Sequence, residues 1–194
     1  MTIIGAAMAL ALGAPAIQPV TARIAIEGSE TQATIHEVVV PANSDQVWQA
    51  IATPEGWRTW AAPLVWADPG DPTIFESNYN PAAKPGDGGA IAQRIILVVP
   101  QRIYAFRTIK ATSDFPNFEA LKQVTWVFEL VPEGTERTRV RLTGSGYPRT
   151  RGGDQLLAFF DRGNSVSLEL LRQRFAQGPI DWATKRKGAH ALTK

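Results

Sequence analysis

The sequence predicts an α+β chain in which a curved antiparallel sheet wraps one long C-terminal helix, with two short helices after the first strand. Three observations carry this. Trp126, Phe128 and Leu130 alternate with Thr125 and Glu129, and Val140 and Leu142 alternate with Arg139, Arg141 and Thr143, so both segments read as strands with one buried face. A stripe of Leu157, Phe160, Asn164, Leu168, Leu171 and Phe175 recurs at spacings of three and four, the period of one helix face. Finally, two sets of helix-start signals follow directly on a β-branched run.

In order, Thr31 to Val40 is the first strand, rich in β-branched residues and stopped at Pro41, which has no N–H for a ladder. Asn43 or Ser44 caps a helix bearing Val47, Trp48 and Ile51 on one face, with Gln46 placed for a capping box. Thr53-Pro54 opens a second short helix, where Trp57 and Trp60 share a face and Pro63 blocks extension. Asp68 to Gly89 is rich in Pro and Gly and reads as loop around one short strand near Thr73 to Asn78. Strands follow at Ala90 to Val99, Arg102 to Ile109, Gln123 to Val131 and Thr138 to Tyr147, the last two joined through Pro132-Glu133-Gly134-Thr135. Asp154 can cap the closing helix and Gly178-Pro179 stops it, a span of about 36 Å at 1.5 Å per residue. Gly163 and Asn164 interrupt its apolar face. They predict either a polar group meeting a ligand, water or the sheet, or a break in the helix with Asn164 capping the second half.

The 194 residues, 44% hydrophobic and 20% charged, suit one domain with tails and exclude a disordered, collagenous or coiled-coil chain. With no cysteine, thiol nucleophiles and Cys-ligated metals are excluded. Lys185, Arg186, Lys187 and Lys194 lie in the last ten residues without an acid; subtracting them from the net charge of +2 leaves −2 on the rest. The basicity is therefore a tail, available to an anionic membrane surface, and not a face that tracks nucleic acid. Ile3 to Leu12 is an apolar run of signal-peptide length, followed by small residues at Ala14-Pro15-Ala16 and Val20-Thr21-Ala22. The expected organisation is a signal peptide over 1–22, cleaved after 16 or after 22 with the second preferred, a domain over 31–180 and a basic tail over 181–194. The expected location is periplasmic or secreted, although Met1-Thr2 supplies no basic n-region.

Chemistry-bearing motifs are sparse. His36 is the one histidine outside the tail, and Glu37 beside it points to the opposite face of a strand, so the two form no dyad. His36 reads as a surface or partly buried strand residue. No G-x-S-x-G, H-E-x-x-H or calcium-loop pattern occurs, and Asp68, Asp71 and Asp87 read as turn formers. No cofactor and no metal are implied. Gln93 and Arg94 alternate in a strand, so one points inward; an inward Arg94 would need an acidic ligand head or an internal carboxylate.

Strand, two short helices, meander and long helix is the order of the helix-grip fold. Val38 to Pro63 (VVVPANSDQVWQAIATPEGWRTWAAP) resembles the opening of the START/Bet v 1-like (SRPBCC) superfamily at Ala42, Val47, Trp48, Ala50, Thr53, Pro54, Glu55 and Trp60. Thr125 to Gly146 is similar to that superfamily's closing hairpin, and the match is nearest the polyketide cyclase/dehydrase and heat-shock ATPase activator-like branch. The resemblance runs from Ala33 to Phe175 and implies a cavity between sheet and long helix. Members of the superfamily bind lipids, sterols, polyketides or hormones there, and a minority catalyse.

The resulting expectation is an exported, non-enzymatic, monomeric module for a hydrophobic or amphipathic small molecule. Its expected pocket residues are Trp57, Trp60, Arg94, Trp126, Phe160, Asn164 and Leu168. The rival is a cyclase or dehydratase using His36, Arg94, Asn164 and Tyr104, which requires at least two of them to converge on one point of the cavity. A third reading is an interaction module working through the 68–89 loop or the tail.

Overall fold

The structure is a computed structural model, and it describes residues 19–184. The expected signal peptide up to residue 18 and the basic residues from 185 onward lie outside the described part. Eight strands form one antiparallel sheet in the order β1-β2-β8-β7-β6-β5-β4-β3. They are β1 Thr21–Glu27, β2 Thr31–Val40, β3 Leu64–Ala67, β4 Ile74–Asn78, β5 Ile91–Val99, β6 Ile103–Lys110, β7 Thr125–Pro132 and β8 Thr138–Pro148. The helices are α1 Ser44–Ala52, α2 Pro54–Arg58, α3 Phe118–Leu121 and α4 Arg151–Gln177.

The local signals work as read at the first two helices. Asn43 accepts from the Gln46 backbone N–H at 3.0 Å while the Gln46 side chain accepts from the Asn43 N–H at 3.2 Å, a complete capping box. The Thr53 hydroxyl accepts from the Gly56 N–H at 3.0 Å, with Pro54 at the first helical position of α2. Gly56 is where α2 crosses the end of α1. A Cβ there would lie 2.0 Å from the Gln49 carbonyl oxygen and 2.6 Å from the Ala50 Cα, so only glycine lets the two helices meet.

Three elements were not anticipated: β1, β3 and α3. β1 pairs along its whole length with β2, and Ala22 stands opposite His36. A cleavage after Ala22 would therefore fall inside a paired strand, whereas the position after Ala16 lies outside the described residues. The cap of α4 is also corrected. Thr150, and not Asp154, accepts from the Gly153 N–H, and the Asp154 carboxylate instead accepts from the Gln32 side chain. Asp68, Asp71 and Asp87 do form turns: each carboxylate accepts backbone N–H groups within its own loop, from Gly70 and Asp71, from Thr73 and from Lys84 respectively.

Alternation sets the two faces of the sheet. Trp126, Phe128 and Leu130 of β7 and Val140 and Leu142 of β8 are buried, while the outer face carries ion pairs such as Arg141 with Glu37 at 2.9 Å and with Glu129 at 3.6 Å. Register shifts between β2 and β8 near Gln32 and between β5 and β6 near Gln93 and Ile95 mark bulges that bend the sheet. The helix α4 packs chiefly on β2 and β8. The inner residues of β4, β5 and β6 face the same space from the far side of the curve, and that space is not filled.

Candidate functional site

The unfilled space is a cavity of about 270 Å³, just under the usual size range of small-molecule sites, roughly 300–1,000 Å³. Trp57 and Trp60 come from α2 and its C-terminal turn, Phe106 from β6, Trp126 and Phe128 from β7, and Phe160 and Asn164 from α4. The rings pack on one another, with centroids 5.3 Å apart for Trp57 and Trp60 and 4.7 Å for Trp126 and Phe160. Both α2-side indoles are anchored to α1, Trp57 Nε1 donating to the Ile51 carbonyl and Trp60 Nε1 to the Ala50 carbonyl. With those donors occupied, the two rings offer a ligand apolar faces.

Polar groups are few and placed apart. Ser77, Gln93 and Thr108 lie on the sheet side, Thr108 donating to Gln93 at 2.9 Å, and Asn164 and Ser167 lie on α4. An apolar pocket with a few convergent polar groups is the ordinary form of a small-molecule site. The cavity shares Ala61, Tyr79, Phe159, Phe160, Asn164 and Ser167 with an outer groove of about 720 Å³. Tyr79, from the long loop, lines both and donates to the Ala61 carbonyl at 3.3 Å.

Of the expected pocket residues, Trp57, Trp60, Trp126, Phe160 and Asn164 line the cavity. Leu168 does not; it is fully buried in the core. Arg94 is corrected outright. Opposed residues of neighbouring strands share a face, and Gln93 stands opposite Phe75 and Thr108, both buried, while Arg94 stands opposite Ile74 and Arg107. Gln93 is thus the inward residue, and Arg94 lies on the outer surface, 3.9 Å from Asp71.

Asn164 resolves in favour of the cavity. The helix α4 is continuous from Arg151 to Gln177, so no second segment exists for Asn164 to cap. Its amide lies 3.5 Å from the Thr34 hydroxyl, a long contact that leaves most of its hydrogen-bonding capacity unused. At Gly163 a Cβ would meet nothing within 4 Å. The glycine therefore leaves open space beside the helix backbone, and no group of the described residues comes within 4 Å of where its Cβ would be.

His36 is the residue that the sequence reading misplaced most. It is fully buried, and its Nε2 lies 2.9 Å from the Asp161 carbonyl oxygen and 3.2 Å from the Asp161 carboxylate. Because a carbonyl only accepts, Nε2 carries the proton, and the ring ties β2 to α4. Its Nδ1 has no protein partner among the described residues, nor does the buried Tyr147 hydroxyl. Burial pushes the Tyr147 phenol up; the Thr34 hydroxyl beside it offsets part of this, and the Asp161 charge adds to the rise. Gly144 lets these groups close in: a Cβ there would stand 2.7 Å from the Trp126 ring, 2.9 Å from the Tyr147 hydroxyl and 3.1 Å from that of Thr34.

Tyr104, another residue expected for the enzyme reading, is buried on β6 away from the cavity lining, its ring edge-on to Trp48 at 6.2 Å, and burial pushes its phenol up as well. Of the four candidates for catalysis, only Asn164 reaches the cavity.

Comparison with known proteins follows the same lines. No curated protein matches the sequence. In structure the chain is similar to the Aha1 dimer from Colwellia psychrerythraea, with a TM-score of 0.58, 17% identity, and coverage of 75% of this chain and 97% of that one. It is also similar to CalU16 from Micromonospora echinospora, with a TM-score of 0.57, 18% identity, and coverage of 90% and 98%. A third likeness is to BexL, a di-domain ARO/CYC from the BE-7585A biosynthetic pathway, with a TM-score of 0.55 and 17% identity over 73% of this chain and 45% of that one. At these identities the likenesses establish the helix-grip fold. Residues 31–175, from the first residue of β2 to the last turn of α4, match the family described as polyketide cyclase / dehydrase and lipid transport, and the chain belongs to that family within the START/Bet v 1-like superfamily.

Proposed function

We propose that this chain is an exported binding module that holds one hydrophobic or amphipathic small molecule between the curved sheet and α4, without chemistry of its own. The observation that carries the reading is the lining itself. Aromatic rings from α2, β6, β7 and α4 surround a space whose polar groups are all neutral, which suits an apolar body oriented by one or two hydrogen bonds. The scatter of His36, Arg94 and Tyr104 away from that space supports binding over turnover, since a reacting atom needs two or more groups within reach of one point. Export is supported by the apolar run Ile3 to Leu12 and the small residues after it.

One observation favours a cyclase or dehydratase as the second reading. The His36–Asp161 pair is not part of the lining, but Asp161 precedes the lining residue Asn164 by about one turn of α4. Turnover of a polyketide-like substrate that is lost in His36→Gln would establish that reading in place of simple binding.

The test is thermal denaturation against a panel of fatty acids and aromatic polyketide-like compounds. A ligand present at a hundred times its Kd stabilises the fold by about 2.7 kcal/mol, which for a chain of this length raises Tm by roughly 5–10 °C. A flat response across the panel overturns the proposal. Asn164→Leu refines it. Only a 3.5 Å contact is lost, so stability should stay within about 1 kcal/mol, while a ligand that hydrogen-bonds the amide should bind about tenfold more weakly.

A further inference from the structure

The charge around the cavity is as informative as its shape. Among the described residues lining the cavity and its outer groove, one carries a formal charge: Arg162, on α4 in the outer groove. It is exposed and makes no ion pair or hydrogen bond among the described residues. Asp161, its chain neighbour, is engaged by His36. Asp114 shares the adjoining groove with Arg162 without pairing to it. Gly163, the next residue, presents no side chain and has open space beside it. A guanidinium thus lines the groove that adjoins the aromatic cavity, with room next to it and no ion-pair partner among the described residues.

The geometry points to a ligand class: an amphipath with a single carboxylate, its apolar body inside among Trp57, Trp126 and Phe160 and its carboxylate in the outer groove on Arg162. This rests on the cavity-binding reading above and adds to it the charge of the ligand and its head-outward orientation. The physical grounds are complementary. A carboxylate inside the cavity would meet no cation and lose its hydration, whereas in the groove it stays partly hydrated and gains a planar two-point partner. A cationic head would meet Arg162 as a like charge. The apolar body could be a flexible chain or a fused aromatic system; the shared chemistry is the carboxylate.

The experiment is a titration followed by tryptophan fluorescence at pH 8, where carboxylic acids are ionised. Dodecanoate is compared with 1-dodecanol, and 2-naphthoate with its methyl ester, on the full chain and on Arg162→Gln and Arg162→Lys. The chain should favour the carboxylate of at least one pair by about three- to tenfold, the range for a charge pair that stays partly in water. Arg162→Gln should abolish the preference by weakening only the acid, and Arg162→Lys should restore part of it. Preference in the first pair identifies a flexible body, preference in the second a rigid one. Equal binding of acid and neutral partner, or a preference that survives Arg162→Gln, overturns the inference while leaving the cavity reading intact. If no member of either pair binds, the cavity reading fails and this inference fails with it.

Discussion

His36→Ala should destabilise the fold by about 3 kcal/mol, within the range of about 2–5 kcal/mol seen when large buried side chains are truncated. Two losses add. The ring is fully buried between β2 and α4, so its removal leaves a void at the centre of the sheet–helix contact. Its Nε2 proton also bridges to Asp161, and this link holds the middle of α4 against the strand. Urea denaturation measures the sum, and His36→Phe separates its parts. Phenylalanine keeps most of the volume and deletes the hydrogen bond, so it should cost about 1–3 kcal/mol. If alanine at this position cost less than 1 kcal/mol, α4 would not be seated on His36 as described.

Ser167→Trp should reduce ligand affinity at least tenfold, about 1.4 kcal/mol, with little change in stability. Ser167 is half-buried on α4 and lines both the cavity and its outer groove. An indole projecting from this position would occupy the passage between them. The core residues Leu168 and Leu171 on the same helix are untouched, so the urea midpoint should be retained while the panel's thermal shifts disappear. Full binding in a folded Ser167→Trp protein would place the ligand elsewhere.

Much of this was legible one residue at a time. The capping box at Asn43 and Gln46, the Thr53-Pro54 start of α2, the β7–β8 hairpin and the α4 stripe are local patterns, and each formed as read. The errors arose where the answer depends on register or on distant partners. The choice between Gln93 and Arg94 is a question of parity, and β5 carries exposed Ile96, Leu97 and Val98 as well as inward residues, so hydrophobicity does not mark its inner face. His36 was placed near the surface because its partner, Asp161, lies 125 residues further along the chain. Arg162 carried no signal in sequence; its meaning comes from the groove beside it. β1 was missed for a similar reason: its large apolar residues Ile24 and Ile26 point to solvent, so hydrophobicity does not mark its inner face, and it adjoins the expected cleavage sites.

The central claim is that the space between sheet and helix holds one small molecule. Native mass spectrometry of the chain, purified gently from cells of its own source and compared with Ser167→Trp prepared identically, tests it most directly. The account predicts a population of the unaltered chain carrying one added mass of small-molecule size, released on denaturation and absent from the variant. A chain that is bare in both preparations, and that acquires no added mass when incubated with the fatty-acid and polyketide-like panel, would contradict it.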